Sequence, residues 1–234
     1  MDADRRSAAV PAAVAGASRP RYGTVTIRDR GRLPHWEMDS GLYFVTFRLA
    51  DSLPQELLER VGSEREAILA RARQLQRELS ADEQRRLALL FSREIERRLD
   101  LGAGACWLRH TKVAKVVADA LNFFQAKRYR LLAWCIMPNH VHVVTKLLPG
   151  QRLAAVAHSW KSFTAKEANR ILERSGHFWG REYYDHLVRN EEELARMVRY
   201  VLNNPAKAGL KDWPWTWWCG QDARTTAGGT PALP

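Results

Sequence analysis

Cysteine is scarce. Cys106, Cys135 and Cys219 are odd in number, far apart and never in a C-x-x-C pair, which argues against a disulfide framework or a structural zinc site and points to a reducing cytoplasm. Long apolar runs are missing as well: no stretch of eighteen apolar residues occurs, so no segment reads as a membrane span. Acid is in deficit, with 26 Asp and Glu against 37 Lys and Arg, a formal charge of +11 and a pI near 10. That imbalance favours a polyanionic partner, because each phosphate met by Lys or Arg releases condensed counterions. Apolar residues, by contrast, are plentiful. At 46% hydrophobic with nine Trp in 234 residues, the chain can bury a core as one large or two small domains.

Residues 1–32 are rich in Ala and Arg, with Pro11, Pro20 and Gly23 scattered through them, and read as a disordered leader. Arg5, Arg6 and the Ala/Val run over 8–17 imitate a secretory signal, but Pro11 interrupts a run without Leu or Ile. Residues 221–234 read as a disordered Gly/Thr/Pro/Ala tail. Between these ends, 33–220 is expected to form one domain.

Within it, 41–49 is dense in aromatic and β-branched residues and predicts a central strand. From 51 to 104 the character changes. Ser52–Gln55, Ser63–Glu66 and Ser80–Glu83 each match the capping-box pattern and imply three helix starts. Apolar residues such as Leu57, Val61, Ile68, Leu87, Phe91, Ile95 and Leu99 recur at helical spacing among charges of alternating sign. This is expected to be an inserted, charged helical hairpin, a solvated buttress before a DNA contact. Lys112 to Gln125 reads as an amphipathic helix, Leu131 to Ile136 as a buried strand, and Gln151 to Glu173 as a further helix. The order implies an α+β fold, an antiparallel sheet with helices packed on one face.

The stretch Met137-Pro138-Asn139-His140-Val141-His142-Val143-Val144 carries the first chemical signal. Histidines one residue apart within a valine run have strand period, so both imidazoles leave one face of a sheet, about 7 Å apart along it. That spacing suits one metal ion, although His-x-His alone is a weak signal beside satisfied core histidines. On the helix from 151, Trp160 and Phe163 lie among Lys161 and Lys166, a mixture that grips phosphates and stacks bases or, for the aromatics, fills a core. Near the end of the chain, Asn190 is an N-cap with Glu193 at N3, Leu194, Val198 and Val201 form a buried stripe, and Tyr200 and Asn204 project side by side. Pro205 places that pair on the last helical turn. The aromatic run 213–218 reads as a clasp over the sheet before a base-stacking surface.

Together, Met-Pro-Asn-His-Val-His at 137–142, Ser159-Trp160-Lys161-Ser162, the segment 179–190, and Arg199-Tyr200-Val201-Leu202-Asn203-Asn204-Pro205-Ala206-Lys207-Ala208-Gly209-Leu210 resemble the REP-associated tyrosine transposases, relatives of the single-tyrosine HUH transposases. The resemblance implies a ferredoxin-like or RRM-like sheet, Mg²⁺ or Mn²⁺ held by His140, His142 and Asn204, and Tyr200 as nucleophile. Some relatives carry Gln where this chain has the shorter Asn204. It further implies single-stranded or hairpin DNA as partner and a monomer or homodimer; DNA contacts are expected from Trp160, Lys161, Lys166, Arg189, Arg199 and Lys207. Asp185 and His186 match family positions best read as salt-bridge scaffolding.

The implied activity is cleavage and rejoining of single-stranded DNA through a covalent phosphotyrosine. A histidine-triad hydrolase would want a third alternating histidine, where position 144 is Val. A rolling-circle initiator often bears two tyrosines at helical spacing, where Tyr183 and Tyr184 are adjacent and point apart. A non-catalytic nucleic-acid-binding module on the same sheet is the alternative.

Overall fold

The computed structural model describes residues 26–29, 34–77, 79–89 and 95–220. Residues 1–25 of the expected leader and the 221–234 tail lie outside these residues. Regular structure begins earlier than expected, with strand β1 (Thr26–Asp29) paired antiparallel to β2 (Pro34–Glu37) in a separate two-stranded sheet.

The main sheet is built from β3 (Leu42–Leu49), β4 (Tyr129–Ile136), β5 (His140–Leu147), β6 (Trp179–Leu187) and β7 (Thr216–Trp218), in the order β6-β3-β5-β4-β7 with every neighbouring pair antiparallel. With helices α4 (Thr111–Phe123) and α5 (Leu153–Ile171), the first four strands make a βαββαβ unit of ferredoxin-like order. The strand over 41–49 is interior, as expected, and β5, which carries the histidines, is the middle strand.

Helices cover both faces, which corrects the one-face expectation. The physical reason lies in β3 and β5, which are buried on both faces: one set of alternating side chains is apolar, and the other carries Phe44 and Val144, which also need cover from water. Tyr43, Val45 and Phe47 with Val141 and Val143 bury against Leu108, Val113, Val117 and Leu121 of the α4 side and Val156 and Trp160 of α5. Phe44, Val144, Ala133 and Cys135 bury instead against Leu194, Val198 and Val201 of α6 (Glu191–Lys207). Trp160 belongs to the first of these cores. It is 2% exposed, its Nε1–H donates to Tyr129 Oη at 2.8 Å, and its ring stacks on Phe47, so it cannot stack a base from this position.

The insert holds α1 (Gln55–Gln74), α2 (Ala81–Leu89) and a short α3 (Arg97–Asp100). Of the three expected capping boxes only Ser80–Glu83 forms, with Ser80 N–H donating to Glu83 and Glu83 N–H to Ser80 Oγ at 3.2 Å. Ser63 lies inside an unbroken α1, and Ser52 Oγ–H instead donates to Leu49 O at 2.8 Å. The base of the insert is closed where Ala105 N–H donates to Asp51 Oδ2 at 2.8 Å. Gly104 has φ +87°, and a Cβ there would fall 2.7 Å from Asp51 O, so this closure requires glycine. One side of this segment is dry: Leu53, Leu57, Val61, Ile95 and Leu99 form their own core against Tyr184, on the α6 side of the sheet.

Helix α6 begins at the expected cap, Glu193 N–H donating to Asn190 Oδ1 at 2.8 Å. It continues through Pro205 to Lys207 rather than breaking there. A proline one turn from the end sacrifices a single i→i−4 bond, and Gly209 N–H to Ala206 O with Leu210 N–H to Pro205 O then close a Schellman cap. The aromatic run 213–218 does clasp the sheet. Trp213 Nε1–H donates to Ile136 O at 2.7 Å and Trp217 stacks on Trp134, while 216–218 add the edge strand β7. Among the described residues no helix is long and apolar enough to cross a membrane.

The core position of Trp160 has a direct consequence. Trp160→Ala should lower the unfolding free energy by about 3–5 kcal/mol, whereas Phe163→Ala, at a side chain 54% exposed, should change it by about 0.5 kcal/mol or less; urea denaturation measures both.

Candidate functional site

The tight turn at 137–139, closed by Met137 N–H to His140 O at 2.8 Å, starts β5 on a histidine. In the ladder His140 faces Arg48 and His142 faces Thr46 on one side and Cys135 on the other. Period 2 sends both imidazoles toward α6, as expected, and they are 1% and 0% exposed. Their Nε2 atoms stand 2.9 Å apart with the rings nearly perpendicular.

The partners of the two outer nitrogens determine the tautomers. Asn139 Nδ2–H donates to Ala103 O at 2.9 Å, which turns Asn139 Oδ1 toward His140 Nδ1 at 2.7 Å. His140 must therefore carry its proton on Nδ1 and present a lone pair at Nε2. His142 Nε2–H then donates to that lone pair, and Thr46 Oγ1–H donates to His142 Nδ1 at 2.8 Å. Burial holds His140 near pKa 3 and pushes His142 well below the ordinary histidine range, the second imidazole and Lys207 adding to the effect on His142. Both are neutral at pH 7, the form that ligates metal.

The residues fit a divalent cation. With metal–nitrogen bonds of about 2.1 Å, nitrogens 2.9 Å apart subtend an angle of about 87° at a shared ion, near the 90° of neighbouring octahedral positions. Such an ion would take the place of the proton between them, and His142 Nδ1–H would then donate to Thr46 Oγ1, the outer-partner arrangement usual for metal-bound histidine. Among the described residues no third His, Cys, Asp or Glu joins the pair. Asn204 offers the other donor: it is 1% exposed, and neither its Oδ1 nor its Nδ2 has a hydrogen-bond partner among the described residues. A buried carboxamide with both ends unpaired is costly unless it serves a ligand.

Tyr200 is on the same side of α6 as Asn204. Its ring packs edge-on to His142 and Phe44, with centroids 5.3 and 5.8 Å away. Its buried Oη, beside Asn204 and Glu96, has no partner of hydrogen-bond geometry among the described residues. Burial, then the carboxyls of Glu96 and Asp100, push the phenol up. Both carboxyls come from the insert, and Glu96 is itself raised to about 7 by burial and by Asp100. Composition and motif offered no hint of them.

The expected DNA contacts separate into groups. Lys166, Arg189 and Arg199 are exposed. Lys161 Nζ donates to Gly180 O at 2.8 Å and Arg181 O at 2.9 Å, and burial brings it down to about 8. Lys207 pairs with Asp100 at 3.2 Å and lies over the Tyr200 ring. His186 fits scaffolding, its Nε2 lying 2.8 Å from Glu193 Oε1 while Arg189 N–H donates to Glu193 Oε2; Asp185 is buried. Thr46 and Asn139, which orient the imidazoles, were unassigned in the sequence. Asn139 lies inside the histidine motif, whereas Thr46 is found only through the strand register.

Residues 109–204 match the family described as "Transposase IS200 like". Over 102 residues the chain is 29% identical to a Haemophilus influenzae protein named for the REP-associated tyrosine transposases, covering 38% of this chain and 58% of that protein. Over 113 residues it is 24% identical to the REP-associated tyrosine transposase of Escherichia coli, covering 47% and 61%. The chain thus spans about three fifths of the length of these relatives. A solved REP-associated tyrosine transposase bound to a REP hairpin aligns over 86% of this chain and 89% of its own, with TM-score 0.47 and 14% identity.

The neutral, buried His140 makes stability pH-dependent. Its folded pKa of about 3 lies below its unfolded value of about 6.5, so the unfolded chain binds more protons between the two, and stability falls as pH drops below about 6.5. From pH 7 to 5 the metal-free protein should lose roughly 2 kcal/mol through this imidazole alone. Urea midpoints at the two pH values test this, with His140→Gln expected to show the smaller difference.

Proposed function

We propose that this chain is a metal-dependent transesterase of single-stranded or hairpin DNA with Tyr200 as nucleophile, a reading supported by the match of residues 109–204 to the family described as "Transposase IS200 like" and by the similarity over 102 residues to a protein named for the REP-associated tyrosine transposases. Tyr200 Oη attacks the phosphorus, the Oη–P bond forms, the P–O3′ bond breaks, and the leaving strand departs as a 3′ hydroxyl. Phosphodiester energy is kept in the phosphotyrosine, so the reverse attack rejoins DNA without ATP. The observation that supports this most is the convergence of two facing imidazoles, an unpaired carboxamide and a buried phenol packed on His142.

An ordinary tyrosine at pH 7 is about one part in a thousand ionised, a deficit of roughly 4 kcal/mol, and burial beside Glu96 and Asp100 enlarges it here. Mg²⁺ or Mn²⁺ held by His140, His142 and Asn204 would supply positive charge to the scissile phosphate and to the developing phenoxide. Three neutral donors leave the full double charge of the ion for that task, and imidazole favours Mn²⁺ in affinity. Thr46 and Asn139 hold the imidazoles at the required angle. Phe44 and His142 hold the phenol ring. Lys166, Arg189 and Arg199 are exposed, and on this reading they meet the phosphate backbone.

Tyr200→Phe should abolish the denaturation-resistant adduct with labelled hairpin DNA in Mn²⁺ while leaving binding within about twofold. Adduct surviving the substitution would sink the assignment, and the absence of scission by the unmutated chain in either metal would favour a pure binder. Asn139→Ala and Thr46→Val should each weaken Mn²⁺ binding by about 10–100-fold in calorimetry.

A further inference from the structure

A cavity of about 640 Å³ lies between the sheet and the insert, lined by Thr46 and Arg48 of β3, residues of α1 including Arg65, Ile95 and Leu99 at α3, and the β6 stretch from Trp179 to Tyr184. Its volume is within the range of sites for small organic ligands. The walls are mainly apolar, yet they hold guanidinium groups. Arg65 is 3% exposed. Arg48 spends Nη1 on Leu49 O at 3.0 Å and on longer contacts to Ala50 O and Ser52 Oγ, while its Nε and Nη2 have no hydrogen-bond partner among the described residues. Gly180 makes room for this side chain, since a Cβ there would meet Arg48 Cζ at 3.1 Å. Behind Gly180 the Lys161 ammonium is held on the Gly180 and Arg181 carbonyls. Among the described residues Glu182 is the one acidic residue on the wall, and the two guanidinium groups with the aromatic Tyr184 suit an anion bearing a flat group.

The cavity also touches the candidate cation site. Thr46 lines it, and the hydroxyl of Thr46 is bonded to His142 Nδ1. Anything seated against Thr46 and Arg48 is therefore one side chain away from the paired imidazoles. Tyr184 presents an aromatic surface on the same wall and packs edge-on to Phe44, which in turn packs on Tyr200.

We propose that this cavity is a nucleotide subsite, in which one nucleotide of the substrate strand next to the scissile phosphate is held with its phosphate on Arg48 and Arg65 and its base against Tyr184. It rests on the strand-transfer reading above, and it gives the insert a part in substrate selection, because α1 and α3 form the wall facing β6. Guanidinium donors match phosphate oxygens in pairs, and an aromatic wall accepts any base by its face.

The test uses the full chain with metal chelated, so that binding is read without cleavage. A short random-sequence single strand carrying 5-iodo-2′-deoxyuridine is photocross-linked and the adducts are mapped by mass spectrometry; Tyr184 is the expected site. Arg48→Gln and Arg65→Gln should each weaken binding of the same strand by about tenfold, the loss of a charge-assisted hydrogen bond, whereas Lys166→Gln, outside the cavity lining, should cost about twofold to threefold. Cross-links confined to other surfaces overturn the proposal. So do unchanged affinities in two arginine variants that melt like the parent, and so does thymidine 5′-monophosphate binding as tightly as the strand, which would make this a free-nucleotide site. If either variant fails to fold, the cross-link map of the unmutated chain decides. Loss of cleavage activity with this map intact would count against the transesterase reading alone, and cleavage with cross-links elsewhere against the subsite alone.

Discussion

The site depends on one hydrogen-bonded chain, from Thr46 through His142 and His140 to Asn139 and the Ala103 carbonyl. Four polar side chains in a dry interior have no water to turn to, and each is fixed by the next. Because the amide of Asn139 is anchored at one end, the proton order along the chain follows. The two facing Nε2 atoms can be reconciled only by a shared proton or a shared cation. The sheet serves this arrangement by placing the histidines on its middle strand, where neighbours on both sides hold the backbone still.

Covering both faces of the sheet divides the work. The face under α4 and α5 is a conventional core in which Trp160, Phe47 and Tyr129 interlock. The opposite face buries polar groups, and α6 lays Tyr200 and Asn204 over the imidazoles. Keeping Asn204 and the Tyr200 hydroxyl dry and unpaired costs stability, and such costs gather where chemistry is done.

The insert is tied into that same face. Its last residues supply Ala103 O to Asn139, its α3 brings Glu96 and Asp100 to the phenol, and Asp100 pairs with Lys207 across α6. Negative charge beside a phenol opposes its ionisation. The acidic end of the insert thus opposes ionisation of Tyr200, and a cation at the histidines, as proposed, would act in the opposite direction.

Much of this was written locally. The valine-flanked His-x-His, the Asn190 cap with Glu193, and the four-residue step from Tyr200 to Asn204 obey short-range rules of period and capping, so strand, helix and candidate ligands were legible from the chain alone. What escaped were facts of sequence-distant contact. Ser63 has the same capping signature as Ser80, but α1 runs through it because Leu57, Val61 and Ile68 share one buried stripe. Trp160 has the composition of a stacking platform, yet the packing of α5 on the sheet buries it. Thr46 and Glu96 are 96 and 104 positions from the groups they adjoin, His142 and Tyr200. The sequence by itself determined which residues are candidates for holding a cation and for attacking phosphorus. Only the tertiary structure decided which partners orient them and which carboxyls surround them, because register and packing join residues that no local pattern relates.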